Sequence, residues 1–365
     1  MAGERIRVGI IGANLSYGWG ARAHIPALRA LPEFEISAVS TTRMETAQET
    51  AQHFDIPLAF DDYRQLVVHP DVDLVAVCVR VPAHHELVMA ALAAGKHVFC
   101  EWPFGRDLAE AVAMRDLALA RGVRHMVGLQ GRGEPAVQRM RTMIADGYVG
   151  RVLAATLRAS GGGLGQRPST LAWTLDNASG GTTFTIAGGH SIDVLRYCLG
   201  DFEQVSGTVA RSVDQGTLTD TGETVAVTAP DNVLVNGQLA SGAVASVHIK
   251  SVPAHGTGFR FEVHGTEGAL VATSGAGAQG GGMALQGARN DEAALAELPP
   301  EAGDRWVPAE TPAGPPLNVA QLFRRLGERI HDGGPADPDF ADAVTLHELL
   351  DAIQRSSDSG RRQTL

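Results

Sequence analysis

The residues best suited to chemistry sit in a glycine turn near the N-terminus. The stretch RIRVGIIGANLSYGWG covers residues 5–20. Residues 5–11 are rich in β-branched side chains and read as a buried strand. Gly12 falls where that strand turns toward a helix, and Gly18 and Gly20 follow. Such a turn cups a pyrophosphate, because helix N-terminal amides face the phosphates and glycine lets the backbone come close. The spacing departs from GxGxxG, which would need glycine at 14 and 17, where Asn14 and Tyr17 stand. Taken alone, this longer turn fits dinucleotide binding and a plain tight turn of another α/β domain equally well. A second group is Ser40-Thr41-Thr42-Arg43, at the end of the second apolar run. An NAD site places Asp or Glu there to hold the ribose diol. Hydroxyls and an arginine suit a 2′-phosphate, so NADP is expected, with NAD as the alternative. The competing reading is that Arg43 merely starts a solvated helix. His84 and His85 are adjacent, and adjacent side chains on a helix point in different directions, so no metal site is expected there. Cys78, Cys100 and Cys198 are widely spaced and read as buried small hydrophobes, neither bridged nor ligating.

These groups need a scaffold. Strand-like runs at 5–11, 34–40, 74–79, 96–100 and 125–129 alternate with helical stretches at 22–30, 46–54, 61–68, 84–94 and 107–121. That alternation is the doubly wound pattern, whose ligand crevice lies beyond the carboxyl ends of the strands. The expected fold is α/β: a parallel-sheet Rossmann domain over residues 1–130, then an α+β domain over 131–365. After a helix at 138–146, period-two runs at 152–158, 205–210, 224–228, 233–235, 244–249, 259–263 and 269–272 describe a mostly antiparallel sheet. Asn236-Gly237 and Ser241-Gly242 read as hairpin turns. One face of the sheet can carry the helix around 191–199, and the other is left for a partner. Residues 274–288 are rich in Gly and Ala and read as a mobile loop. Residues 299–316 read as an irregular connection. Helices are expected around Leu322–Ile330 positions and again around 344–353, with a frayed tail after Ser356.

Net charge is -11, with 19% charged and 44% hydrophobic residues among 365. A phosphate backbone needs a basic face, so nucleic acid is not an expected partner. The opening residues lack a charged segment followed by an apolar run, and no stretch approaches the roughly 20 apolar residues of a membrane helix. A cytoplasmic location is the simple expectation. Alternating Val and Ala over residues 244–249 suggest a sheet face that needs covering, hence a homodimer or larger assembly.

Several segments together resemble the glucose–fructose oxidoreductase and inositol dehydrogenase (Gfo/Idh/MocA) family. They are VGIIG at 8–12, AHIPAL at 23–28, AALAAGKHVFCEWPF at 90–104 and GGHSIDVL at 188–195. The Glu-Trp pair at 101–102, LQGR at 129–132 and the long glycine turn resemble the branch that contains the yeast galactose regulator. The family oxidises or reduces sugars, polyols and their relatives with NAD or NADP; that yeast member binds a dinucleotide but represses transcription through protein contacts. The resemblance therefore implies an oxidoreductase on a small sugar-like or polyhydroxylated substrate, or a regulator without turnover.

The resemblance also assigns the site. The family's catalytic lysine lies between Glu and Pro, where this chain has Trp102, and its aspartate falls at Ile186. An indole cannot carry a proton as lysine does. Only the histidine matches, as His190. His190 is expected to take the hydroxyl proton as hydride leaves, or only to pack at a helix start. Asp193, one turn on, orients it or caps the helix. Trp102 stacks on a sugar face or nicotinamide edge, or fills the space of a lysine chain. Glu101 holds the ribose or the turn, and Pro103 is the position of a family cis bond. Gly12, Asn14, Tyr17, Gly18, Trp19, Thr41, Thr42, Arg43, Pro82, His85, Glu101 and Trp102 make the expected cofactor set. Arg132 and Asp176 are weaker candidates for substrate contact.

Overall fold

A computed structural model describes residues 5–365; the first residues, on which the expectation of no leader rested, lie outside it. The chain divides into two compact units, Met1–Leu129 with Trp306–Thr345 and Gln130–Arg305 with Leu346–Leu365. Along the chain the first division falls between Leu129 and Gln130. Trp306–Thr345, expected in the second domain, returns to the first unit.

The first unit is a parallel sheet of six strands: β1 (Ile6–Ile11), β2 (Phe34–Ser40), β3 (Leu58–Phe60), β4 (Leu74–Val77), β5 (His97–Glu101) and β6 (His125–Gly128). Their order is β3-β2-β1-β4-β5-β6, the doubly wound arrangement. Helices α1 (Ile25–Arg29), α2 (Met44–His53), α3 (Tyr63–Val68), α4 (His84–Ala93) and α5 (Leu108–Arg121) alternate with the strands. The central strands are apolar on both faces, as a sheet covered by helices requires; all of Leu74–Val77 is buried. Asp107 opens α5 by accepting from the Glu110 amide (2.9 Å), and Gly122 closes it at φ +66. β3 has only three residues, too few to show a period, and sequence patterning missed it. The helix Pro315–Asp332 packs Val319, Leu322, Phe323 and Leu326 into the same core as β1 and α1. Phe323 stacks on Phe99, with centroids 4.7 Å apart.

The second unit begins with α6 (Pro135–Ala145) and is built on a nine-stranded sheet. Its strands include β7 (Val152–Gly161), followed in the chain by the short β8 (Gln166–Arg167) of a separate three-stranded sheet, and then α7 (Gly189–Leu199). Next come β9 (Phe202–Ala210), β10 (Gln215–Leu218) and β11 (Thr224–Ala226), the last two pairing with each other beside β8. β12 (Asn232–Leu239), β13 (Val244–Ser251), β14 (Gly258–Gly265), β15 (Gly268–Ser274), β16 (Ala284–Arg289), β17 (Ala296–Glu297) and β18 (Gln363–Thr364) complete the large sheet. Pairing there is antiparallel except between β7 and β13.

Four expectations about this unit need correction. Asn236-Gly237 is not a hairpin turn: both residues lie inside β12, opposite Ser246 and Ala245. Gly237 is glycine because a Cβ there would sit 2.5 Å from the Phe202 ring and 2.7 Å from the Gln204 carbonyl. The true turn is at Gly242, with φ +86. The Gly/Ala-rich stretch is not all loop, since its end forms β16. The tail is not frayed, because Gln363–Thr364 extends the sheet beside β9 and the Leu365 amide bonds the Glu203 carbonyl (3.0 Å). Finally, the alternating apolar set of β13 is covered: Ala245, Val247 and Ile249 are buried, while the opposite face shows Val244 (59% exposed), Ser246, His248 and Lys250. The apolar alternation therefore marks the core, not an interface.

Candidate functional site

The first unit holds a cradle at the end of β1. Gly12 has φ +100, and a Cβ on it would lie 2.6 Å from both the Cys78 carbonyl and Val79 Cγ1, so only glycine fits. The turn beyond is shaped by Asn14, whose side chain accepts from the Ser16 amide (2.9 Å) and whose carbonyl accepts from the Gly18 amide (2.8 Å). Gly18 has no room for a Cβ, which would fall 2.4 Å from that carbonyl. Tyr17 is exposed. Trp19 is half-buried under Arg22, and its Nε1 is buried with no hydrogen-bond partner among the described residues. The helix expected at 22–30 is split: Gly20–His24 is one π-helical segment and α1 follows.

That π segment places His24 fully buried with its Nε2 donating to Glu101 Oε1 (2.6 Å), between the Phe99 and Phe323 rings. Glu101 thus ties the end of β5 to the segment after the glycine turn. Gly128 is glycine because a Cβ would press within 3.0 Å of the Glu101 carboxylate. Trp102 is buried, and the Trp102–Pro103 bond is cis. Pro82 lies in the short 3-10 turn Val81–Ala83 that leads into α4. Of the two histidines there, His84 is buried, with Nδ1 2.9 Å from the Pro103 carbonyl and Nε2 3.1 Å from that of Val79. Burial pulls its pKa down, against those carbonyls and Glu101. His85, the one assigned to the cofactor, is half-buried on the next position. No group of three or more His, Cys, Asp or Glu that could hold a metal occurs among the described residues.

At the tip of β2, the Thr41 hydroxyl donates to the Arg43 carbonyl (2.9 Å) and meets Thr46 (2.7 Å), so it is occupied in starting α2. Thr42 is exposed. Arg43 caps α2 without a side-chain bond and is 67% exposed, 3.9 Å from Glu45. Together, the glycine cradle, the turn fixed by Asn14, the orphaned Trp19 Nε1 and a strand tip without carboxylate fit a dinucleotide.

In the second unit, the 3-10 turn Gln130–Gly133 packs on α7: a Cβ on Gly131 would meet Val194 at 2.6 Å. Arg132 grips Asp193 through Nε to Oδ2 (3.0 Å) and Nη2 to Oδ1 (2.7 Å), both residues buried, with the guanidinium over the Tyr197 ring. Asp193 is thereby engaged by Arg132, and no bond joins it to His190. His190 is 4% exposed, and its Nδ1 has no partner among the described residues. Burial pulls its pKa down to about 3, so the imidazole is neutral. Ile186, half-buried, lies in the π-helical segment Thr183–Gly188 that leads into α7. Asp176 accepts from the Ala178 amide (3.1 Å) and the Thr228 hydroxyl (3.0 Å), which is the work of a turn cap. Sequence reasoning passed over Arg167, whose only signal was its place after a glycine-rich run.

A parallel doubly wound unit with this cradle, followed by a large mixed sheet carrying a buried neutral histidine, defines a dinucleotide-binding protein of oxidoreductase architecture. The family model described as "Oxidoreductase family, NAD-binding Rossmann fold" matches residues 6–129, and that of the "Gal80p, C-terminal domain" matches residues 135–274. Ensifer adhaerens 1,5-anhydro-D-fructose reductase is 32% identical over 73% of this chain and 75% of its own. The galactose/lactose metabolism regulatory protein GAL80 of Saccharomyces cerevisiae is 29% identical over 74% of this chain and 67% of its own. A levoglucosan dehydrogenase solved in complex with NADH and levoglucosan superposes with a TM-score of 0.86 at 27% identity, covering 99% of each chain. The chain belongs to the Gfo/Idh/MocA oxidoreductase family.

Proposed function

We propose that this protein is a nicotinamide-dinucleotide-dependent oxidoreductase acting on a sugar-like or polyhydroxylated substrate, with His190 as its proton-handling group. The observation that carries this reading is His190 itself, buried, uncharged and with an unpartnered ring nitrogen. When bound, the nicotinamide supplies the acceptor or donor of hydride. His190 takes the proton of the reacting hydroxyl in oxidation and returns it in reduction. A histidine whose protonated form is disfavoured by burial gives that proton up readily and accepts it poorly. Near neutral pH the ring therefore stands in the neutral form that oxidation requires, while reduction needs the imidazolium, whose population grows as pH falls. The Arg132–Asp193 pair holds the α7 scaffold of His190; Trp102 and Ile186, in place of the family's lysine and aspartate, leave His190 as the remaining proton acceptor.

Within this reading, the strand tip without carboxylate supports NADP; the NADH bound to levoglucosan dehydrogenase supports the dinucleotide class and NAD as its alternative. Arg43 is exposed, so its preference is small: NADP binds tighter by a few-fold, and Arg43→Ala abolishes the difference. Fluorescence titration of both cofactors at equal ionic strength tests this, and tighter NAD binding contradicts it.

A second reading, a dinucleotide-binding regulator, is favoured by the match of residues 135–274 to the Gal80p C-terminal model and by the missing lysine and aspartate. The two separate on one experiment: substrate-dependent change of nicotinamide absorbance across sugars, polyols and keto-sugars. Tight cofactor binding without any turnover selects the regulator. We also retain a homodimer as the assembly, joined through the face of the large sheet that exposes Leu234 and Val244 beside polar residues. A monomer in light scattering at micromolar concentration refutes it. A cytoplasmic site of action fits this reading, and no described helix is long and apolar enough to cross a membrane.

A further inference from the structure

Arg167 stands at the end of a glycine-rich loop that leaves β7. Gly163 and Gly165 have φ +79 and +66, so the loop takes a path that side chains disfavour. The path aims carbonyls at the guanidinium: Nη1 donates to Gly163 O (2.6 Å) and Gln166 O (2.8 Å). The backbone around it is fixed in turn. The Thr219 amide bonds the Arg167 carbonyl (2.9 Å), and the Thr217 amide bonds that of Gly165 (2.7 Å). One corner of the guanidinium is thus pinned, while Nε and Nη2 make no hydrogen bond or ion pair among the described residues. No acidic group stands close enough to raise its pKa; burial alone acts, and lowers it. A half-buried cation without counter-charge is costly, and it is retained where something else supplies the anion.

The loop lies where His190 is anchored. The Leu164 amide bonds the Val252 carbonyl (3.0 Å), just past β13. At the same place, Ser251 Oγ meets Thr183 Oγ1 (3.1 Å) at the start of the π segment that runs into His190. The Arg167 loop and the His190 segment are therefore fastened to one end of one strand.

We propose that Arg167 binds a carboxylate of the substrate, making the preferred substrates sugar acids rather than neutral sugars. The open Nε–Nη2 edge presents two parallel N–H donors, which match the two oxygens of a carboxylate. This inference rests on the oxidoreductase reading for the identity of the substrate, but the anion site itself does not require turnover.

The test is calorimetry on dinucleotide-saturated protein with D-glucuronate against D-glucose and D-galacturonate against D-galactose. At least one acid binds more tightly than its neutral parent. Arg167→Gln then weakens the acid by roughly 10- to 100-fold, the span of a charge-assisted pair, and leaves the neutral sugar unchanged. Arg167→Lys retains the charge but not the fork and falls between. Melting curves establish that both variants fold. Equal affinity for acid and parent, no binding of either acid, or equal loss of both in Arg167→Gln overturns the proposal. Arg167-dependent binding of an acid upholds the anion site; if no sugar, sugar acid, polyol or keto-sugar then changes nicotinamide absorbance, the oxidoreductase reading is refuted instead.

Discussion

His190 carries a consequence for stability as well as chemistry. Its pKa falls to about 3 by burial, against about 6.5 in an unfolded chain. Between those values the unfolded chain binds a proton that the folded protein refuses. The folded state is therefore favoured above pH 6.5 and loses this contribution as pH falls toward 3, at up to about 1.4 kcal/mol per pH unit. His84, His97 and His125 are also shifted down by burial and add to the slope. Urea unfolding at pH 7.5 and 4.5 should show a smaller acid loss in His190→Gln than in the wild type; equal losses contradict the buried neutral imidazole. Arg132 makes a second prediction. Arg132→Met leaves Asp193 buried without its guanidinium and should cost roughly 3–5 kcal/mol, whereas Arg132→Met with Asp193→Leu should recover much of it. An additive double variant would show that the pair is not coupled. From sequence, GGHSIDVL picks out His190 as a candidate, but not the residue that binds Asp193. Asp193 follows at helical spacing, yet the residue that claims it is 61 positions away, and spacing along one helix cannot report that.

Among elements, the glycine turn is tightly constrained. Gly12→Ala adds a methyl against the Cys78 carbonyl at a φ that disfavours side chains. It should cost roughly 1–3 kcal/mol or more and abolish dinucleotide binding, read by chemical denaturation and titration. Normal binding would remove the cradle from the account. Gly237→Ala should also destabilise, by about 1–3 kcal/mol, because the added methyl is overpacked against Phe202. An unchanged melting midpoint would contradict that packing. The alternation of strand and helix in the first unit was largely readable because its central strands are apolar on both faces, as Leu74–Val77 is, and several helices stop beside glycine or proline, as α5 does at Gly122. The second sheet was read less well. Glycine there has two uses, turning the chain and admitting a neighbour, and a sequence shows only the residue. Val244–Ser251 has a similar ambiguity: alternation reveals that one face is apolar, but not which face the helices cover.

At the scale of the whole molecule, the residues of the proposed reaction are divided between the two units. The first, closed by the returning segment Trp306–Thr345, carries the dinucleotide cradle; the second carries His190, the Arg132–Asp193 pair and Arg167. The return of that segment was hidden from the sequence, because its helix pattern shows an apolar stripe without naming the core it joins. Family membership supplies the precedent for hydride transfer, and in the proposed mechanism, with Trp102 and Ile186 at the lysine and aspartate positions, turnover depends on His190. The decisive measurement is therefore turnover, followed by nicotinamide absorbance, in wild type and His190→Gln, beside a cofactor titration of each. The wild type should turn over a sugar-like substrate measurably, the variant should lose roughly 10²–10⁴-fold, and dinucleotide affinity should be unchanged. Undiminished turnover in His190→Gln, or none in the wild type with any sugar, sugar acid or polyol despite tight cofactor binding, would contradict the proposed mechanism.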